Sequence, residues 1–159
     1  MGLRFDHVAL AVWEIRPAVR TWAEILGGSF RQGASDYSGF TFLQFAYDAG
    51  SRVELLSPAS DRTGFLVKFL EKYGEGVHHL TFVADDLRAE VARIRASGVR
   101  VFGEDYSDPM WMVAYISAGL RDNRLLIQLA QSDRSLEEQD RAFTEDFESV
   151  LRMAGSIRD

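Results

Sequence analysis

Two histidines and two oxygen-bearing side chains stand at matching places in two copies of one sequence pattern. The first copy opens as Phe5-Asp6-His7-Val8-Ala9-Leu10-Ala11-Val12 and closes as Arg52-Val53-Glu54-Leu55-Leu56. The second opens as Val77-His78-His79-Leu80-Thr81-Phe82-Val83-Ala84 and closes as Leu126-Ile127-Gln128-Leu129-Ala130. His7 and His79 are 72 positions apart, and Glu54 and Gln128 are 74 apart. Each half thus offers one imidazole nitrogen and one side-chain oxygen. If the halves pair about a pseudo-twofold axis, all four groups can converge on one divalent metal ion. The donor set is all nitrogen and oxygen, which fits Ni, Co, Zn, Mn or Fe(II) without selecting among them. One carboxylate charge against a 2+ ion leaves a net positive centre, suited to an anionic chelating substrate such as an enolate or 2-oxo acid.

The elements that must position these groups are also repeated. Residues 4–13 alternate as a strand. Residues 15–26 are expected to form a helix, with Pro17 in its first turn, Val19, Trp22, Ile25 and Leu26 on the buried stripe, and Gly27-Gly28 as the stop. Strand-like runs follow at 29–33, 39–47 and 51–56, with Asp48-Ala49-Gly50 as a turn. A short amphipathic helix over 62–72 presents Phe65, Leu66, Phe69 and Leu70, and Gly74 and Gly76 end it. The pattern then restarts: strand 77–84, helix 86–96 with Leu87, Val91 and Ile94 on one face, and strands near 99–103, 111–117 and 124–130. Asp122-Asn123 marks the last hairpin. The order β-α-β-β-β therefore occurs twice. The expected architecture is α+β: two tandem βαβββ modules, 4–58 and 77–131, forming a cupped mixed sheet around the metal site. A helical connector (59–76) joins them, and an amphipathic C-terminal helix (132–159) follows.

Strand parity tests whether the four donors share a face, because successive side chains point to opposite sides of a sheet. Val8 and Leu10 pack under a helix, so His7 faces the other way. Val53 and Leu55 place Glu54 likewise, Leu80 and Phe82 place His79, and Ile127 and Leu129 place Gln128. Parity selects His79 over His78, which is expected at the strand's outer face.

In the tail, Ser135-Leu136-Glu137-Glu138 fits a capping box. Phe143, Phe147, Val150 and Leu151 recur at helical spacing, so this stripe must bury on the domain or on a partner chain. The whole chain has 159 residues and a net charge of -6, which argues against a nucleic-acid binder. It has no cysteine, which removes disulfides and thiolate metal sites. Met1-Gly2-Leu3-Arg4 leads straight into strand pattern rather than a signal peptide, and no apolar run is long enough for a membrane span. A soluble, cytoplasmic protein and a homodimer are the expectations.

These paired motifs resemble the vicinal oxygen chelate superfamily of glyoxalases, bleomycin-resistance proteins and extradiol dioxygenases. Phe5-Asp6-His7-Val8-Ala9-Leu10-Ala11-Val12, Val53-Glu54-Leu55-Leu56-Ser57-Pro58, Gly76-Val77-His78-His79-Leu80 to Asp85-Asp86-Leu87, and Leu125-Leu126-Ile127-Gln128-Leu129 are most similar to its methylmalonyl-CoA epimerase-like branch. The resemblance spans about residues 4–131. It implies His7, Glu54, His79 and Gln128 as metal ligands, with the metal acting as a Lewis acid on two neighbouring substrate oxygens. It implies an isomerase, epimerase or lyase on a small oxo-acid or acyl-thioester substrate, with a nearby carboxylate moving the proton. Glu54 is the first choice for that role, as ligand, base or both.

Two departures stand out. The last-strand ligand is usually Glu in glyoxalases and epimerases, and Gln128 cannot act as a general base. The epimerases also carry a second carboxylate where this chain reads Ser35-Asp36-Tyr37-Ser38-Gly39, with Asp36 beside the matching place rather than at it. Trp111, Tyr115, Phe42 and Tyr37 are candidate substrate-contacting residues. Most of the aromatic set that includes Phe40 and Phe45 is expected to be core. Arg31, Arg121 and Arg124 are candidates for CoA phosphates. Two alternatives stay open: an Fe(II) extradiol-type dioxygenase, and a non-catalytic small-molecule (drug) binding protein.

Overall fold

A computed structural model describes residues 2–48, 50–59, 61–142 and 147–155. Eight strands form one curved sheet in the order β2-β3-β4-β1-β5-β8-β7-β6. They are β1 (Leu3–Ala11), β2 (Ser29–Tyr37), β3 (Phe40–Ala46), β4 (Arg52–Pro58), β5 (Gly76–Ala84), β6 (Phe102–Asp105), β7 (Met112–Ser117) and β8 (Leu126–Gln131). Each repeat lays its last strand parallel to its first, β4 on β1 and β8 on β5. The two first strands pair antiparallel at the centre. The strand order reads the same outward from that pair in both directions, which is the pseudo-twofold relation that the sequence repeat anticipates.

The packing residues of β1, β4 and β8, and Phe82 of β5, fall on the side that parity expects. Val8, Leu10, Val53 and Leu55 join Leu43 and Phe45 in the core beneath α1 (Ile15–Val19). Phe82, Ile127 and Leu129 pack on Leu87, Val91 and Ile94 of α3 (Leu87–Ala96). Each fully buried Leu or Phe here contributes roughly 1.5–3 kcal/mol. On the opposite, concave face, Ala9, Ala11, Phe42 and Leu56 pack against Leu66, Phe69 and Leu70 of α2 (Phe65–Tyr73). Asp86 caps α3 by accepting from the Ala89 amide at 3.0 Å.

Three expectations need correction. The first helix becomes π-helical over Arg20–Ile25, with Leu26 N donating to Thr21 O at 3.1 Å. That wider turn takes the stripe out of phase, so Ile25 and Leu26 are exposed rather than buried. The strand expected at 99–103 begins later, at Phe102, because the turn after α3 draws in Val99, whose amide donates to Ile94 O. The tail is two helices, α4 (Leu136–Ala142) and α5 (Phe147–Gly155); Phe143 lies outside the described residues, as does Ala49 of the expected turn.

The capping box forms as expected. Glu138 Oε2 accepts from the Ser135 amide at 2.8 Å, and Ser135 Oγ accepts from the Glu138 amide at 3.3 Å. Val150 and Leu151 bury in the first repeat's core beside Ile15 and Val19. Arg16 donates to Leu151 O at 2.8 Å. Among the described residues, Phe147, Val150 and Leu151 of the tail stripe are thus covered by the chain's own domain. Among the described residues, no helix is long and apolar enough to cross a membrane.

Candidate metal centre

The two central strands each carry one extra residue where they pair. Phe5 lies opposite Phe82 and His7 opposite Thr81, so Asp6 is extra on β1. Ala9 lies opposite His79 and Leu10 opposite Val77, so His78 is extra on β5. A bulge re-aims side chains that simple alternation would send outward. Both extra residues are buried against the histidine that follows them. Asp6 Oδ2 lies 2.8 Å from His7 Nδ1, and His78 Nδ1 lies 2.8 Å from His79 Nδ1. His78 therefore belongs to the site-bearing side, packed on Phe65 and Phe69, and not to the outer face. Asp6 and His78 occupy the same place in the two repeats. With Nδ1–H of His7 donating to Asp6, and Nδ1–H of His79 donating to His78, each ligand candidate turns the lone pair of its Nε2 inward.

Glu54 and Gln128 sit on β4 and β8 and complete the cluster. His7 Nε2 is 3.6 Å and His79 Nε2 4.0 Å from Glu54 Oε1. The three donor atoms all lie within 4.8 Å of one another. Metal bonds of about 2.0–2.2 Å would draw such atoms to roughly 3.0–3.6 Å apart. Gln128 Oε1 is reached through Thr81, whose Oγ1 is 3.0 Å from His7 Nε2 and 2.9 Å from Gln128 Oε1. Gln128 Nε2 donates to Tyr115 Oη at 2.7 Å. Glu54 Oε2 accepts from Gln44 Nε2 at 2.7 Å.

The hydrogen-bond account does not balance at this point. With His7 neutral and its proton on Nδ1, Thr81 has one hydroxyl hydrogen for two acceptors. His79 Nε2 is buried without a partner. Burial with an unmet acceptor costs about 1–3 kcal/mol, and a divalent cation would satisfy the surplus. The electrostatics differ between the two imidazoles. Burial opposes charge on His7, yet the carboxylates of Glu54 and Asp6 outweigh it and raise its pKa. Burial, with His7 and His78 adding to it, holds His79 well below the ordinary histidine value. Burial alone pushes His78 down to about 4.

A cavity of about 260 Å³ opens over this cluster. Tyr37, Phe42, Trp111 and Tyr115 all line it, with Phe40 and Phe65 at the same wall. Trp111 stacks on His7 with ring centroids 6.5 Å apart. Phe45 is instead buried in the core on the other side of the sheet. Burial raises the pKa of Tyr115 further than the Gln128 hydrogen bond lowers it, which keeps the phenol neutral. Asp36 is exposed and is not part of the wall, and neither are Arg31, Arg121 and Arg124. Among the described residues, the carboxylates of the wall are Glu54 and Asp105.

Sequence reasoning missed Asp6, Thr81, Gln44 and Asp105. Thr81 was within reach, since it stands two residues from His79 and so shares its face. Asp6 required the bulge, and Asp105 required the late start of β6.

A family model described as the glyoxalase/bleomycin resistance protein/dioxygenase superfamily matches residues 6–115. The chain belongs to this superfamily. A curated relative, the ethylmalonyl-CoA/methylmalonyl-CoA epimerase of Cereibacter sphaeroides, is 28% identical over 101 residues, covering 63% of this chain and 75% of that one. Among solved structures, the methylmalonyl-CoA epimerase of Mycobacterium tuberculosis aligns with a TM-score of 0.69 at 24% identity, over 84% of this chain and 91% of that chain. A variant of the Streptomyces coelicolor methylmalonyl-CoA epimerase, in complex with 2-nitronate-propionyl-CoA, aligns with a TM-score of 0.66 at 26% identity, over 84% and 100%. The divalent metal that this superfamily implies fits the residues present: a buried, unpartnered imidazole nitrogen faces a nitrogen and oxygen donor set of the right reach.

Proposed function

We propose that this chain is a divalent-metal-dependent isomerase of epimerase type, acting at the carbon next to a carbonyl in a small oxo-acid or acyl-thioester substrate. The observation that carries this reading is the buried, unpartnered Nε2 of His79, facing His7 Nε2 and Glu54 Oε1 within 4.8 Å. His7, Glu54, His79 and Gln128 would hold the metal. When bound, it would supply Lewis-acid polarisation of two neighbouring substrate oxygens.

The remaining work falls to the chain's own groups. Asp6 and His78 fix the imidazole orientations. Tyr115 holds the Gln128 amide so that its oxygen faces Thr81 and His7. The aromatic wall excludes water from the substrate's apolar part. Glu54 is the first choice to accept the proton, at Oε1, since Oε2 is engaged by Gln44. Asp105 supplies the second carboxylate that two-sided proton transfer calls for, a role that Gln128 cannot fill. The expected homodimer rests on the cupped sheet.

The dioxygenase reading gains one point. An acid–base histidine is available after all, because His78 lines the cavity. Its carboxylate ligand would still come from β4 rather than the last strand.

The test is α-proton exchange in D2O, followed by NMR, on metal-loaded protein with methylmalonyl-CoA, ethylmalonyl-CoA and simple 2-oxo acids. Exchange that is lost in Glu54→Gln supports the proposal. Ligand binding without exchange that survives complete metal removal would replace it with the binding-protein reading. Activity that needs both Fe(II) and dioxygen would replace it with the dioxygenase reading.

A further inference from the structure

The tail after β8 reaches the centre through charge. α4 brings Gln139 onto the cavity wall. The next residue, Asp140, grips Arg52 with both oxygens, Oδ1 to Nη1 at 2.6 Å and Oδ2 to Nη2 at 3.0 Å. Arg52 is buried on β4, two residues before Glu54. Its Nη1 also donates to Gln44 Oε1 at 3.4 Å, and Gln32 Nε2 donates to the same oxygen at 2.7 Å. Gln44 then donates from Nε2 to Glu54 Oε2 at 2.7 Å.

The direction of every bond in this chain is determined. A guanidinium only donates and a carboxylate only accepts. The Gln44 amide cannot flip without turning its oxygen toward Glu54 and its NH2 toward Arg52. The chain thus reads in one sense, Asp140 to Arg52 to Gln44 to Glu54. It occupies Oε2 of Glu54 and leaves Oε1 for the imidazoles. Asp140 also neutralises the buried Arg52 cation, which stands on the same strand as Glu54.

We propose that Asp140 is a positioning residue for Glu54, so that a helix outside the segment matched by the family model builds part of the metal centre. This rests on the metal reading above. The bidentate geometry is what makes the link directional, because it holds the guanidinium plane as well as its charge. Loss of groups that orient a metal ligand typically costs about 10- to 100-fold in metal affinity.

The experiment is titration of the metal-free full chain with Co2+ and with Zn2+ alone, by calorimetry and by the Co2+ visible spectrum. The variants are Asp140→Asn, Asp140→Glu, Gln44→Leu and the double variant Asp140→Asn/Gln44→Leu. Asp140→Asn should weaken binding about 10- to 100-fold, and Asp140→Glu, which keeps the carboxylate, should recover most of it. Gln44→Leu should lose a similar factor, and adding Asp140→Asn to it should change little, since the link is already cut. If Asp140→Asn does not fold, Arg52→Lys tests the same link, because an ammonium cannot grip Asp140 and Gln44 in one plane; its affinity should fall in the same direction. Metal affinity of Asp140→Asn within twofold of wild type would overturn the proposal. So would an undiminished Asp140→Asn effect in the Gln44→Leu background. Wild-type protein that takes up neither ion would overturn both this proposal and the metal reading, so the two failures are told apart.

Discussion

Replacing His79 with leucine should change stability little without metal and strongly with it, and the difference can be worked from the site. In the metal-free protein, His79 donates one hydrogen bond to His78 and leaves Nε2 buried without a partner. His79→Leu relieves the unmet acceptor at Nε2, about 1–3 kcal/mol, but leaves the buried Nδ1 of His78 without its donor, a loss of about the same size. Leucine has a similar volume to histidine, so cavity terms are small. The metal-free variant should therefore melt close to the wild type, although a buried residue has been changed. With metal at about 1,000 times its Kd, the wild type should gain about 4 kcal/mol. For a chain of this size that is roughly 8–16 °C in Tm, at about 2–4 °C per kcal/mol. His79→Leu should lose most of that gain. The assay is thermal unfolding in EDTA and again with each of Ni, Co, Zn, Mn and Fe(II). A variant that keeps the wild-type metal shift would refute the assignment of His79, and a variant that collapses in EDTA would refute the acceptor-surplus reasoning.

Two further predictions concern the site's surroundings. At Gly103 φ is +60°, and an added Cβ would stand 2.9 Å from Cδ2 of Tyr115. Gly103→Ala should thus cost about 1–3 kcal/mol in a denaturant titration, from left-handed backbone and overpacking together; an unchanged midpoint would show that Tyr115 is free to give way. His78 sets a pH dependence in the metal-free protein. Its folded pKa is about 4 against an ordinary 6.5. Being depressed, it contributes stability that is present above 6.5 and lost as pH falls toward 4, about 3 kcal/mol in all at 1.36 kcal/mol per unit. His7, whose pKa is raised, works in the opposite sense, losing its contribution as pH rises. The quantity to measure is therefore the difference between His78→Asn and wild type, which should shrink from pH 7 to pH 4. A difference that does not vary with pH would refute the buried-neutral reading of His78.

Much of the fold was legible in the chain because two periodicities and one repeat agreed. Alternation in β1, β4, β5 and β8 sent Val8, Val53, Phe82 and Ile127 under helices. It therefore sent His7, Glu54, His79 and Gln128 to one face, and the duplicated β-α-β-β-β order implied the twofold pairing. The capping box at Ser135 and Glu138 was equally local and formed as expected. What alternation could not express was insertion. One extra residue on each central strand reversed the expected side of His78 and folded Asp6 onto His7, and a bulge depends on the partner strand rather than on its own residues. The π-helical turn that exposes Ile25 and Leu26 has the same origin, since a hydrophobic stripe assumes the ordinary helical repeat.

The sequence by itself determined which four side chains share one face of the sheet, because strand parity and repeat register depend only on spacing along the chain. The tertiary structure alone decided what surrounds them. Asp105 reaches the cavity from the far edge of a curved sheet, Gln44 and Arg52 couple Glu54 to the tail, and α5 returns to bury Val150 and Leu151 in the first repeat. Those contacts join residues 88 positions apart in the case of Arg52 and Asp140. No local pattern encodes such a pair, because the free energy that selects it comes from burial and charge neutralisation available only once the sheet has closed around the site.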